Sequence, residues 1–181
     1  MVDVSVAQEY DLYASLIKSK GYVVGAPLSE SGLHRYSGDT TWTHFGWNHP
    51  HISAVSIDPS EPETIFFVGG NGAFRSTDGG QSWKIVTGWE ITELQDIKIN
   101  PNKTSEIVLS AAYGIWKSTD GGDTWVEFMD GIPKRYTQRL VFDRTQPNRI
   151  LAATDGGVYE SIDGGSWSQL SDDVSVLDLE Q

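Results

Sequence analysis

The chain spells one short phrase three times. Residues 76–83 read STDGGQSW, residues 118–125 read STDGGDTW, and residues 161–167 read SIDGGSW, one residue shorter. A tryptophan closes each copy, and with Trp42 included the tryptophans Trp42, Trp83, Trp125 and Trp167 stand 41, 42 and 42 residues apart. Other features keep the same step. A glycine, a small or aliphatic residue and a ring precede each phrase, as Gly72-Ala73-Phe74, Gly114-Ile115-Trp116 and Gly157-Val158-Tyr159, with Gly32-Leu33-His34 as a weaker copy. Apolar runs come before these (TIFFVGG, EIVLSAA, RILAAT). Before them lie alternating runs that end on a polar residue (AVSIDP, DIKINP, RLVFDR), a pattern that SVLDLEQ repeats near the C-terminus. Such a period constrains the fold more than composition does, because each repeat must be one unit that buries its apolar faces against its neighbours.

Each repeat holds four short β segments, taking the second as the type: AVSID, TIFFVGG, AFRS and SWKIV. Alternation in the first and last indicates half-buried strands, and the apolar second run indicates burial on both faces. Pro, Gly, Asn and Asp punctuate the joins, and no amphipathic helical segment of useful length occurs. Four strands in about 40–45 residues is the arithmetic of a propeller blade. The expected fold is all-β, built of β-propeller blades of four antiparallel strands in about four repeats, as a partial or small propeller. The blades fall at approximately 1–46, 47–88, 89–130 and 131–171, with an extra strand at 172–181.

Composition removes several functions. The formal net charge of −12 repels phosphate backbones and argues against nucleic acid as a partner. Without cysteine there is neither a disulfide nor a thiolate metal site. No run of ~18 apolar residues exists to span a membrane. The opening residues MVDVSVAQEYDLYASL lack the basic and apolar regions of a signal peptide.

The repeated phrase has a structural reading in every position. An aspartate just after a strand accepts hydrogen bonds from the N–H groups of its own turn. The glycines permit the positive φ of a reversal. The serine or threonine adds a local hydrogen bond, and the tryptophan buries a large ring. One carboxylate per turn is too few for calcium, which takes six to eight oxygens. No lysine and no helix follow the glycines, so a phosphate site is excluded as well.

The phrase S-x-D-x-G-x-[ST]-W resembles the Asp-box, the bacterial neuraminidase repeat. Ser76, Asp78, Gly80, Ser82 and Trp83 match it fully, as do Ser118, Asp120, Gly122, Thr124 and Trp125. The third copy keeps Ser161, Asp163 and Trp167, and the first, YSGDTTW, keeps mainly Trp42. The spacing and the prolines before the second strand look most like the sortilin-type receptors, the xyloglucan-hydrolysing glycosidases and the photosystem II assembly factors. The resemblance implies a fold rather than an activity, and it implies an extracytoplasmic setting. A sialidase would require an RIP motif, which this chain lacks, and Arg35 and Arg75 lie on third strands, an outer position.

In such a propeller the connections between blades share a face with the turns between second and third strands, opposite the Asp-boxes. Ligand-binding candidates on that face are Trp47, Asn71, Trp89, Tyr113, Tyr136 and Arg139, in the company of His49, His51 and Arg135. Rings with polar neighbours on one rim suit a protein or a glycan. His44, His49 and His51 are closely spaced, but the sequence from His44 offers no carboxylate before Asp58, so they read as turn residues, and no metal or cofactor is expected. For catalysis, a glycosidase needs two opposed carboxylates. The candidates are Asp155 and Glu90, with Asp130 behind them; Asp155 stands in TDGG, which loosely resembles a catalytic stretch of the xyloglucan-hydrolysing family. The expected function is a non-enzymatic binding module for a protein or glycan, the alternative a fragment of such a glycoside hydrolase. Three arrangements fit the repeat number: a piece of a larger propeller, a half-propeller closed by self-association, or a four-bladed ring.

Overall fold

A computed structural model describes residues 12–17, 31–36, 40–46, 48–49, 51–133, 136–171 and 174–180. The chain divides into two compact units, Met1–Pro50 and His51–Gln181. The described part of the first unit is one antiparallel sheet in the order β1 (Leu12–Leu16), β2 (Gly32–Tyr36), β3 (Trp42–Phe45). Leu33 is buried in it, and Tyr36 faces Trp42 across the strands with ring centroids 5.3 Å apart. The opening MVDVSVAQEY lies outside the described residues.

The second unit holds three four-stranded meanders. They are β4 (Ala54–Ile57), β5 (Ile65–Gly69), β6 (Gly72–Ser76) and β7 (Lys84–Ile85), then β8 (Leu94–Ile99), β9 (Ile107–Ala111), β10 (Gly114–Ser118) and β11 (Val126–Glu127), then β12 (Thr137–Phe142), β13 (Arg149–Thr154), β14 (Gly157–Ile162) and β15 (Ser168–Gln169). In each sheet the strands pair in chain order, all antiparallel. The fold is all-β, of propeller blades with four antiparallel strands, as the repeat predicts. The outer strands are shorter than the sequence suggests, two residues each. The octet turn consumes their first residues, and one further bond extends each pairing: Val86 N–H to Ala73, Phe128 N–H to Ile115, Leu170 N–H to Val158.

Apolar clusters form at the joins between sheets. Phe66, Val68 and Ala73 of one sheet pack with Ile91, Leu94, Ile97 and Leu109 of the next. Val108, Ile115 and Phe128 pack with Leu140, Ile150, Tyr159 and Trp167. Two octet tryptophans pin the joins: the Trp125 indole donates to the Val86 carbonyl at 3.0 Å and the Trp167 indole to the Phe128 carbonyl at 2.8 Å. Trp83 donates instead to Gly80 in its own turn and meets Phe67 edge-on at 4.7 Å.

The innermost strands β4, β8 and β12 are neighbours without a ladder. Side chains bridge them: Ile99 N–H donates to Ser56 Oγ at 3.2 Å, and Leu140 N–H to Asp96 Oδ2 at 2.9 Å. Asp96 is almost fully buried, also accepts from Ile97 N–H, and pairs with Lys98 Nζ at 3.1 Å. Burial pushes its carboxyl above the usual range despite those partners. The polar residue that ends each inner strand caps the following turn. Asp58 Oδ1 accepts Ser60 N–H, Ser60 Oγ–H and Glu61 N–H, and Asp143 Oδ1 does the same with Thr145 and Gln146. Asn100 accepts the N–H of Asn102.

The extra strand expected over 172–181 has no ladder in its described residues, 174–180. The segment runs beside β12, with Val176 N–H on the Thr154 carbonyl, Asp178 paired to Arg139 at 3.3 Å, and Leu179 near Val141 and Phe142. An inner strand pairs only with the second strand of its own blade, so its neighbour β12 offers it side chains and not a ladder.

Truncating the most buried octet ring should cost most. Trp167 is 3% exposed and Trp42 is 40% exposed. Trp167→Ala is expected to lower unfolding free energy by about 3–5 kcal/mol in urea titration, with Trp42→Ala costing clearly less.

Candidate functional site

The two complete octets are closed hydrogen-bond systems. Asp78 Oδ1 accepts Ser76 Oγ–H at 2.7 Å and Ser82 N–H at 2.9 Å, and its Oδ2 accepts Ser82 Oγ–H. Asp120 repeats this with Ser118, Thr124 and the N–H of Asp123. Ser76 and Ser118 each accept the N–H of Gly80 or Gly122 at 2.8 Å. Gly80 and Gly122 take φ of 87° and 89°, where an L side chain is strained. The hydrogen bonds, that from Ser82 Oγ first, hold the Asp78 carboxyl down at about 2, and those led by Thr124 hold Asp120 lower still. Both oxygens of each carboxylate are engaged by their own turn.

The third octet is different. Ser161 Oγ–H donates to the Gly165 carbonyl at 2.6 Å, and Asp163 takes φ of 55°. Ser166 hydrogen-bonds Asp130, whose carbonyl also accepts Trp167 N–H. Asp130, a carboxylate in the sequence's catalytic neighbourhood, is thus a fastener for the last outer strand.

Backbone bonds sort the loops into two ends. At one end the octets tie to the loops after the inner strands: Gly79 N–H to Glu63, Gly121 N–H to Ser105, Asp163 N–H to Asn148. At the other, Glu93 N–H donates to Gly70 while its carbonyl accepts Ala112 N–H, and Asp155 N–H donates to Tyr136. Glu93 has φ of 56°, a left-handed conformation few non-glycine residues adopt. It aims its N–H and C=O at two neighbouring turns, and so gathers Asn71, Trp89 and Tyr113 at one end. Trp89 is 90% exposed and Tyr113 is 73% exposed. Buried Ile91, with its N–H on the Gly88 carbonyl, anchors the loop that carries Trp89.

The remaining predicted residues are placed as follows. Asn71 and Asp155 are exposed in their turns, and Tyr136 is half-buried beside Asp155. Arg139 is drawn to Asp178 and to the Gln138 carbonyl. Glu90 folds its carboxylate back over Gly88, so a Cβ there would collide with it. Glu90 and Asp155 lie in separate loops, after β7 and after β13 respectively. Trp47 and Arg135 lie outside the described residues. His44 is committed to the Ser31 carbonyl at 3.1 Å, and His49 is buried.

Sequence reasoning missed Glu93, Asp96 and a cavity of ≈640 Å³ at the octet end, between the ends of the inner strands. Ile57, Ile99 and Phe142 line it from one repeat position, with Lys98, Arg144 and Leu179. The signal for Asp96 was an acidic residue opening an apolar strand, where the other repeats have Ala54 and Arg139. No helix of the described residues is long and apolar enough to cross a membrane.

The family model for Sortilin-Vps10 (sortilin, neurotensin receptor 3) matches residues 71–180. The chain belongs to that family. No curated protein matches the sequence as a relative. Among solved structures, an ancestral GH74 enzyme is similar with a TM-score of 0.68 at 21% identity, over 77% of this chain and 21% of that one. A chain in a nidogen/laminin complex is similar with a TM-score of 0.63 at 13% identity, over 78% of this chain and 58% of that one. YCF48 bound to D1 peptide gives 0.55 at 19% identity, over 75% and 47%. At these identities the likeness is one of fold, and the chain spans less than two thirds of each.

The octet carboxylates predict the acid limb of stability. Asp78 and Asp120 titrate lower when folded than unfolded, so the unfolded chain binds more protons in acid. Their contribution is complete above the ordinary 3.8 and is lost as pH falls toward about 2. Asp96, raised by burial, works in the opposite direction. Asp78→Asn with Asp120→Asn should lower Tm at neutral pH and flatten the fall of Tm across that acid window, measured by thermal melts at stepped pH.

Proposed function

We propose that this chain is a non-enzymatic binding module that takes a protein or glycan ligand on the end opposite its octets, at Asn71, Trp89 and Tyr113, with Tyr136 and Arg139 to one side. One observation carries the reading: Trp89 and Tyr113 stand 90% and 73% exposed on loops that Glu93 ties together. Large rings held out in water by a rigid backbone gain burial when a partner covers them. Aromatic anchors of this kind dominate binding energies at protein interfaces, and they also stack on sugar rings. Support comes from structurally similar chains, YCF48 bound to D1 peptide and one in a nidogen/laminin complex. Self-association at open blade edges belongs to the same proposal, and an extracytoplasmic setting is its natural context.

The alternative is a glycoside hydrolase fragment, with Asp155 and Glu90 as its carboxylates. The GH74 likeness and the exposed Asp155 favour it. Hydrolysis of xyloglucan that disappears in Asp155→Asn would establish the alternative.

Glycan and peptide arrays probed with the whole chain, followed by titration of the best ligand, test the leading reading. Trp89→Ala and Tyr113→Ala should each weaken binding about tenfold or more, about 1.4 kcal/mol. Unchanged affinity in both would move the site elsewhere. Light scattering tests association: a strictly monomeric particle at all concentrations removes it.

A further inference from the structure

The join between the last two sheets departs from the one before it at three places. At the earlier join, Phe66 lies under the octet that follows, and a Cβ on Gly122 would come 3.0 Å from its ring. One repeat later the same strand position is Val108, a smaller side chain. At the earlier join, the Arg75 guanidinium reaches across to the Gly121 carbonyl at 2.7 Å and to Asp123 Oδ1 at 2.8 Å. One repeat later the position is Lys117, which pairs instead with Glu106 at 3.0 Å. The third octet is also one residue short, so nothing answers to Asp123 or Thr124 together.

Two of these differences, Lys117 and the shortened octet with Asp163 and Gly164, fall on the lining of a pocket of ≈260 Å³. Asn102, Glu106, Lys117, Phe142, Asn148 and Asp163 line it, with Pro147 at its edge. Gly164 keeps its mouth open: a Cβ there would come 3.0 Å from Lys117 Nζ, and its φ of 69° disfavours any side chain.

The lining has the chemistry of a neutral polyol site. Two lysines and two carboxylates line it, Lys103, Lys117, Glu106 and Asp163, so the formal charges cancel; Glu106 pairs with Lys117 at 3.0 Å and with Lys103 at 3.8 Å. Asp163, freed from the octet pattern, accepts no hydrogen bond from a described side chain or N–H, in contrast to Asp78 and Asp120. The amides of Asn102 and Asn148 each offer a donor pair and an acceptor. Planar amides and a carboxylate suit adjacent hydroxyls, and Phe142 and Pro147 supply an apolar patch for a C–H face. The volume fits one small ring and no more.

We propose that this pocket is a subsite for a single neutral sugar ring, held through its hydroxyls by Asp163, Asn102 and Asn148. It lies at the octet end and is independent of the aromatic face.

The test is an NMR titration of the whole ¹⁵N-labelled chain with the methyl glycosides of glucose, galactose, mannose and N-acetylglucosamine. Saturable shifts of the Asn102 and Asn148 side-chain amides are expected with at least one of them. Affinity should fall at least tenfold in Asp163→Ala. It should vanish when a glutamine is inserted between Gly165 and Ser166, which restores the octet, the dispersed spectrum of that variant showing that it folds. Trp89→Ala should leave these shifts unchanged. No saturable shift with any of the four sugars overturns the proposal. So does binding that survives equally in both pocket variants, or binding lost only in Trp89→Ala, which would put the sugar on the aromatic face.

Discussion

Within His51–Gln181, both joins between blades are pinned by an indole and a carbonyl. Trp125 donates to Val86 and Trp167 to Phe128, each across a join between sheets. A four-stranded sheet with second strands as apolar as β5 and β9 has two faces to bury and can bury neither alone. The tryptophan covers the join with its ring, and its N–H finds the acceptor that a buried indole needs. The Asp-box turn exists to deliver that ring. Its serine and aspartate satisfy the N–H groups of a tight reversal, and its glycines bend where side chains would strain.

The same economy divides the molecule into an invariant end and a variable one. At the octet end, hydrogen bonds within the turn engage both oxygens of Asp78 and Asp120, and bonds to the neighbouring loops hold the turns in place. Little polar capacity is left over for a ligand. At the opposite end, Asn71, Tyr113 and Asp155 take nearly the same position in three repeats with three chemistries. A site that binds something specific needs that inequality. The exception at the octet end is the third copy, where a missing residue releases Asp163 and leaves a gap instead of a latch.

Much of this was legible in the residues. The period, the strand order and the turn role of Asp78 and Asp120 follow from local chemistry: alternation, glycine, and a carboxylate within reach of its own backbone. Asp163 shows where that reasoning stops. Its surroundings in sequence look like an octet, but one residue fewer turns its serine to another acceptor. Glu93 was illegible for a different reason. Its backbone conformation is imposed by Gly70 and Ala112, which lie in two other turns. Asp96 and Arg75 act on residues 44 and 46 positions away, distances over which no local pattern operates.

By itself the sequence determined that the chain is built of four-stranded blades and that Asp78 and Asp120 serve their turns, because both depend on interactions within a few residues. Only the tertiary structure decided which rings are left in water and where a shortened turn opens a pocket. Those outcomes depend on groups that meet one repeat apart, where burial and hydrogen bonding are settled between blades and not along the chain.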